Sequence, residues 1–145
     1  TFSKIYGLAG MRVGYMIAQP DLLQTVSKFG LGDYGLNQAG VAGALESFDD
    51  SAFLEYSKSR IVEGREMIAE AIRSHDLFAL PSQTNFVFVD LGRRNAEKFR
   101  LAMQKRNVII RGIYRDYTQW SRVSMGRLED IQMYVDALPA ALAEA

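Results

Sequence analysis

The run Asn85-Phe86-Val87-Phe88-Val89-Asp90-Leu91 is nearly continuous in apolar side chains. A strand alternates its side chains between two faces, so this composition leaves neither face polar. The run predicts a strand covered on both sides, in an open sheet with helices packed on it. Its neighbours fit that α/β plan. Leu77–Leu80 reads as a short strand stopped by Pro81. Asn95 stands where a helix cap belongs, ahead of a helix presenting Phe99, Ala102 and Met103. Asn107–Arg111 reads as a further strand, and Arg122–Met125 alternates polar and apolar residues as a strand does. The last helix carries Leu128, Ile131, Val135, Leu138 and Leu142 in 3-4-3-4 spacing. Pro139 is placed to kink that helix or end it early.

The preceding part of the chain has a different texture. Residues 11–18 read as a strand leaving a glycine-rich loop, and Pro20 with Asp21 opens a helix through Lys28. Gly30, Gly32 and Gly35 punctuate a loop. Residues 37–48 carry Val41, Ala44, Leu45 and Phe48 at helical spacing. Asp49, Asp50 and Ser51 are cap candidates for a long helix to Ser74, with Leu54, Ile61, Ile68 and Ile72 on one face. A domain boundary is placed near Asp49, giving segments 1–49 and 50–145.

Bulk composition excludes several classes. Seventeen basic residues balance seventeen acidic ones among 145. That removes the electrostatic case for nucleic acid or an anionic membrane as main partner. No apolar run approaches the ~20 residues that a membrane-spanning helix needs. Cysteine is absent and His75 is the only histidine, so neither disulfides nor a standard zinc site is expected. A cysteine-free chain fits a reducing compartment, and a cytoplasmic location is the expectation. Tyr114, Tyr117 and Trp120 read as a substrate wall or as loop packing rather than a base-stacking platform, because the chain carries no net positive charge.

The chemistry concentrates at Thr1-Phe2-Ser3-Lys4-Ile5-Tyr6-Gly7-Leu8-Ala9-Gly10-Met11-Arg12-Val13-Gly14-Tyr15. One lysine sits among small and hydroxyl residues, with an arginine eight positions later. A lysine amine so placed can bond reversibly to an aldehyde cofactor and can then move a proton. Thr1 and Ser3 can donate hydroxyl hydrogen bonds, and Arg12 can hold a phosphate by charge-assisted bonds. Gly7, Gly10 and Gly14 permit tight turns. By composition alone, the same residues also read as solvated charges and ordinary bends.

The whole string resembles the cofactor-lysine signature of the fold-type I pyridoxal-phosphate aminotransferases, classes I and II. It is most similar to the histidinol-phosphate aminotransferase branch. The serine-lysine pair, the Gly7-Leu8-Ala9-Gly10 run and the Arg12-Val13-Gly14-Tyr15 ending coincide at the family's spacing. Residues 121–126, Ser-Arg-Val-Ser-Met-Gly, look like its substrate-anion arginine segment. The resemblance implies that Lys4 is the Schiff-base lysine for pyridoxal 5'-phosphate, with Thr1, Ser3 and Arg12 as ligands of the cofactor phosphate. It implies that Arg122 grips a substrate carboxylate or phosphate, that Arg111 helps bind a substrate phosphate, and that Asn85 lies near the active site. The context Arg111-Gly112 departs from the arginine-aspartate pair of that branch.

Several expectations follow from this likeness. The fold would be the end of a large cofactor domain plus a small α/β domain, the C-terminal part of a longer homodimeric transaminase. That enzyme would move an amino group from an amino acid, or histidinol phosphate, to a keto acid. The family places a ring-stacking aromatic, an acid for the pyridine nitrogen and a phosphate-binding helix N-terminus upstream, so the 145 residues alone are expected to have little or no activity. The rival readings are another fold-type I decarboxylase, lyase or carbon–carbon ligase, and a non-catalytic aminotransferase-like binding domain.

Overall fold

A computed structural model describes residues 1–30 and 32–145. By its internal contacts the chain divides into two compact units, Thr1–Lys58 and Ser59–Ala145.

In the first unit a 3-10 turn (Ala9–Met11) precedes helix α1 (Pro20–Ser27), a 3-10 turn (Gly32–Gly35), helix α2 (Gln38–Asp49) and the start of helix α3 (Ser51–Ser74). Pro20 occupies the opening turn of α1, where its missing N–H costs nothing. The Asn37 side chain accepts a hydrogen bond from the Ala39 N–H at 3.1 Å and caps α2. Of the three cap candidates for α3, Asp50 does the work: its Oδ1 accepts from the Phe53 N–H at 2.8 Å. Helix α3 therefore starts where the sequence placed the domain junction, and the division between units falls further along it. Phe2, Val13 and Ala44 form a small core, with Tyr6 and Leu8 packed against it. The strand expected over residues 11–18 is not formed. A strand exists only with a neighbour to take its N–H and C=O groups. Here the Val13 carbonyl accepts from the Phe2 N–H at 3.4 Å and no ladder follows among the described residues.

The second unit holds a sheet of strands β1 (Phe78–Ala79), β2 (Phe86–Asp90) and β3 (Trp120–Ser124), in that order. Both pairings are antiparallel, with Phe88 opposite Arg122 and Val87 opposite Val123. The rest of α3, helix α4 (Ala96–Gln104) and helix α5 (Leu128–Glu144) supply the helical layer. Val87, Val89 and Val123 face it and are buried with Ile68, Ile72, Phe99, Met103, Ile131 and Leu138. Gly64 belongs to this packing, since a Cβ there would meet the tip of Ile131.

Three sequence expectations are corrected here. Helices cover only one face of β2; on the other face Phe88 is half-buried under Tyr114, Tyr117 and Trp120, and Phe86 is half-buried against the Arg122 guanidinium. The strand expected at Asn107–Arg111 reduces to a single bridge between Arg111 and Arg122. Asn107 adopts φ 62° and is consumed by the turn that ends α4, where its N–H bonds the Gln104 carbonyl at 3.0 Å. Finally, α5 runs through Pro139 to Glu144 rather than ending early.

Candidate active site

The lysine loop is built around Phe2. Its ring turns inward against Tyr6 and Tyr15, at 5.0 and 5.9 Å between centroids. The flanking Thr1 and Ser3 are thereby left with their hydroxyls side by side. Thr1 Oγ1 donates to Ser3 Oγ at 3.0 Å, and the Ser3 N–H donates to Thr1 Oγ1 at 3.3 Å. Lys4 comes next and its side chain is exposed. Its carbonyl accepts from the Gly7 N–H at 2.9 Å, closing a turn in which Gly7 holds φ 69°, a conformation glycine adopts without strain. Ser57 Oγ donates to the Ile5 carbonyl at 2.9 Å and ties the loop to α3.

Arg12 occupies the left-handed region, φ 54°, and its Nη1 donates to the Ala9 carbonyl at 2.8 Å. Its neighbours Met11 and Val13 lie against Gly40 of α2. A Cβ at Gly40 would stand 2.6 Å from Val13 Cγ2 and 3.0 Å from the Met11 carbonyl oxygen. Helix α2 can approach the Arg12 segment this closely because position 40 has no side chain. The donor set of the loop is two hydroxyls, one guanidinium and one ammonium, and residues 1–20 contain no Asp or Glu. None of the ion pairs among the described residues engages Lys4 or Arg12. Such a set suits a phosphate, which needs donors and positive charge and is repelled by carboxylates.

The second unit carries the other expected residues. Arg122 lies on the non-helical face of β3 and borders a cavity of about 340 Å³ with Ser82, Thr84, Phe86, Phe88 and Tyr114. Its guanidinium carbon sits 4.2 Å from the Phe86 ring centroid. Its Nε is buried with no hydrogen-bond partner among the described residues. Arg111 bridges to Arg122 through the backbone, and its guanidinium lies 4.9 Å from the Tyr114 ring. The sequence thus brings two arginines to adjacent positions without a carboxylate between them. Gly112, where the resemblance led to an aspartate being expected, backs onto α4. A Cβ there would collide with Glu97 Oε2 and stand 3.0 Å from Arg100 Cδ. Glu97 is itself bound to Arg100, whose hydrogen bond is the main cause of its lowered pKa.

Asn85 immediately precedes β2 and its carbonyl accepts from the Met125 N–H at 2.8 Å. Strand alternation puts it in register with Val87, on the face opposite Phe86 and Arg122. The turn before it is fixed by side chains: Ser82 Oγ donates to the Phe86 carbonyl at 2.6 Å, and Arg65 Nη1 donates to the Thr84 carbonyl at 3.2 Å. Phe86 and Phe88 as cavity walls were not singled out by sequence reasoning. The signal was present in their i, i+2 spacing, hidden by the valines between them. Of the three loop aromatics, Tyr114 borders the cavity. Trp120 stacks on Phe88 at 5.1 Å, and Tyr117 meets Phe88 edge-on at 6.0 Å.

Comparison with known proteins bears on both sites. The family model for aminotransferase class I and II matches residues 1–138. The chain is 32% identical over 143 residues to the histidinol-phosphate aminotransferase of Moorella thermoacetica, covering 99% of this chain and 37% of that protein. Among solved structures it is similar to a histidinol-phosphate aminotransferase from Sinorhizobium meliloti in complex with pyridoxal-5'-phosphate. That match has 30% identity and a TM-score of 0.82 over 99% of this chain and 40% of the other. A histidinol-phosphate aminotransferase from Symbiobacterium thermophilum is 36% identical over 146 residues, covering 99% of this chain and 40% of that protein. The chain therefore spans about two fifths of the length of the relatives it matches. No helix among the described residues is long and apolar enough to cross a membrane. The match over nearly the whole sequence shows that this chain belongs to the class I and II aminotransferase family.

Proposed function

We propose that the whole protein is a pyridoxal 5'-phosphate-dependent aminotransferase and that these residues carry its cofactor lysine and its substrate-anion arginine. The observation that carries the proposal is the acid-free Lys4 loop, in which the Thr1 and Ser3 hydroxyls adjoin and Arg12 is locked in a left-handed turn. Lys4 would hold the cofactor, and Thr1, Ser3 and Arg12 would hold its phosphate. Bound there, the cofactor supplies an electron sink for charge developing at a substrate α-carbon. The Lys4 amine is suited to carry a proton to and from that carbon, because an amine can act as both base and acid. Arg122 would orient the substrate through its carboxylate or phosphate by paired N–H donors. Arg111 would add a second positive charge for a phosphate-bearing substrate, and Asn85 would act from the turn before β2.

An amino acid or histidinol phosphate as donor and a keto acid as acceptor are the proposed substrates. This substrate reading is supported by the names of the similar proteins at 32% and 36% identity. A homodimer and a cytoplasmic location belong to the same reading. The 145 residues by themselves are proposed to turn over little or no substrate.

The test is an absorbance titration of the full-length protein with pyridoxal phosphate, beside a Lys4→Ala variant. A visible band of protein-attached cofactor in the wild type, absent from the variant, is expected. An unchanged band in Lys4→Ala would remove the proposal. Robust transamination by the 145-residue chain alone would remove the claim about its activity.

A further inference from the structure

We infer that Phe86 is a positioning residue for Arg122 and thereby sets the affinity for the anionic group of the substrate. The inference rests on the reading of Arg122 given above. Both residues lie on the non-helical face of the sheet, on neighbouring strands. The register puts Arg122 opposite Phe88, which makes Phe86 its diagonal neighbour, a separation long side chains can bridge. The arginine does lean along that diagonal, to 4.2 Å between its guanidinium carbon and the Phe86 centroid. The face of an aromatic ring attracts a cation at this range.

What surrounds the guanidinium makes the ring the contact that holds it. Among the described residues no ion pair includes Arg122, and its buried Nε has no hydrogen-bond partner. Phe88, directly opposite, is engaged elsewhere: Trp120 stacks on it at 5.1 Å, tilted by 20°. A carboxylate in place of Phe86 would fix the arginine equally well, but it would neutralise the charge and occupy the donors. An aromatic ring fixes the group and leaves its charge and N–H groups for a ligand. Both side chains border the same cavity of about 340 Å³. Arg111 repeats the device on a second ring, Tyr114 at 4.9 Å, again with no ion pair among the described residues.

The experiment uses the full-length enzyme loaded with cofactor. Phe86→Leu removes the ring and keeps apolar bulk, Phe86→Met does the same with a flexible chain, and Phe86→Tyr keeps the ring. Inorganic phosphate and propionate serve as competitive inhibitors alongside the kinetics. In the Leu and Met variants, KM for the anionic substrate and both inhibition constants rise about tenfold, the value of a partly desolvated cation–π contact. Their kcat changes little, and Phe86→Tyr restores wild-type anion binding. Unaltered anion binding in whichever of the Leu and Met variants folds overturns the inference, provided Arg122→Gln weakens it. If Phe86→Tyr is as impaired as Phe86→Leu, or if kcat falls with binding in every variant, the role is structural and the inference is again overturned. Unaltered anion binding in Arg122→Gln removes the underlying reading of Arg122, and the inference with it.

Discussion

Ile68→Ala is the perturbation whose effect separates the structure from the sequence pattern most sharply. The apolar stripe of α3 offers Leu54, Ile61, Ile68 and Ile72 as equivalent positions. In the structure they differ: Ile68 is 0% exposed and Ile72 1%, whereas Leu54 and Ile61 are half-buried. Ile68 packs in one cluster with Val87 and Val89 of β2 and Ile131 and Leu138 of α5. Truncation to alanine removes three carbons from complete burial, about 2.4 kcal/mol of transfer free energy at ~0.8 kcal/mol each. The cavity left behind adds about 1 kcal/mol where the surroundings relax only in part. The expected loss is therefore about 3–4 kcal/mol, against roughly 0.5–1.5 kcal/mol for Ile68→Val. Ile109→Ala is the control. Its side chain is 87% exposed, and its truncation is expected to change stability by no more than about 0.5 kcal/mol. The assay is urea unfolding followed by the fluorescence of Trp120, the only tryptophan, which sits on β3 of the same unit. The reasoning is refuted if Ile68→Ala costs less than Ile61→Ala, or no more than Ile109→Ala, at an unchanged m-value.

Two further perturbations test local claims. Asn95 Oδ1 accepts from the Glu97 and Lys98 N–H groups at 2.9 and 3.1 Å, so Asn95→Ala should cost about 1 kcal/mol in the same unfolding assay, with Asn95→Asp or Asn95→Ser close to neutral. Hydrogen bonds from Lys105 and then Arg106, at 2.9 and 2.5 Å, hold the Glu144 carboxyl down at about 2, below its ordinary 4.5. A depressed carboxyl stabilises the fold above its unfolded pKa and loses that contribution as pH falls through the folded one. Between pH 4.5 and 2 the wild type should therefore lose stability more steeply than Glu144→Gln. Equal slopes for the two proteins would show that these contacts do not persist in water.

What was legible in the sequence was local. The cap at Asn95, the start of α1 at Pro20 and the span of α3 follow from residues within a turn of the feature they set. The donors proposed around Lys4 are local in the same sense, since they lie within twelve residues. The misreadings of strands were all matters of partnership. Residues 11–18 have strand composition without a strand beside them. Asn107–Arg111 loses its first residue to the end of α4 and pairs only at Arg111. The Phe-Val alternation of β2 reads as apolar on both faces, yet helices cover the valines alone, while aromatics from residues 114–120 cover Phe88 and the Arg122 guanidinium lies over Phe86. The contact of Arg122 with Phe86 was out of reach for the same reason. It depends on the register of two strands that are more than thirty residues apart.

The central claim concerns one amine, and borohydride reduction tests it most directly. Full-length protein is incubated with pyridoxal phosphate, reduced, digested and mapped by mass spectrometry. The account predicts a phosphopyridoxyl group on the peptide containing Lys4, lost when Arg12 is replaced and cofactor is limiting. A label fixed to a different lysine, or no label on a protein that is folded and saturated with cofactor, would contradict it.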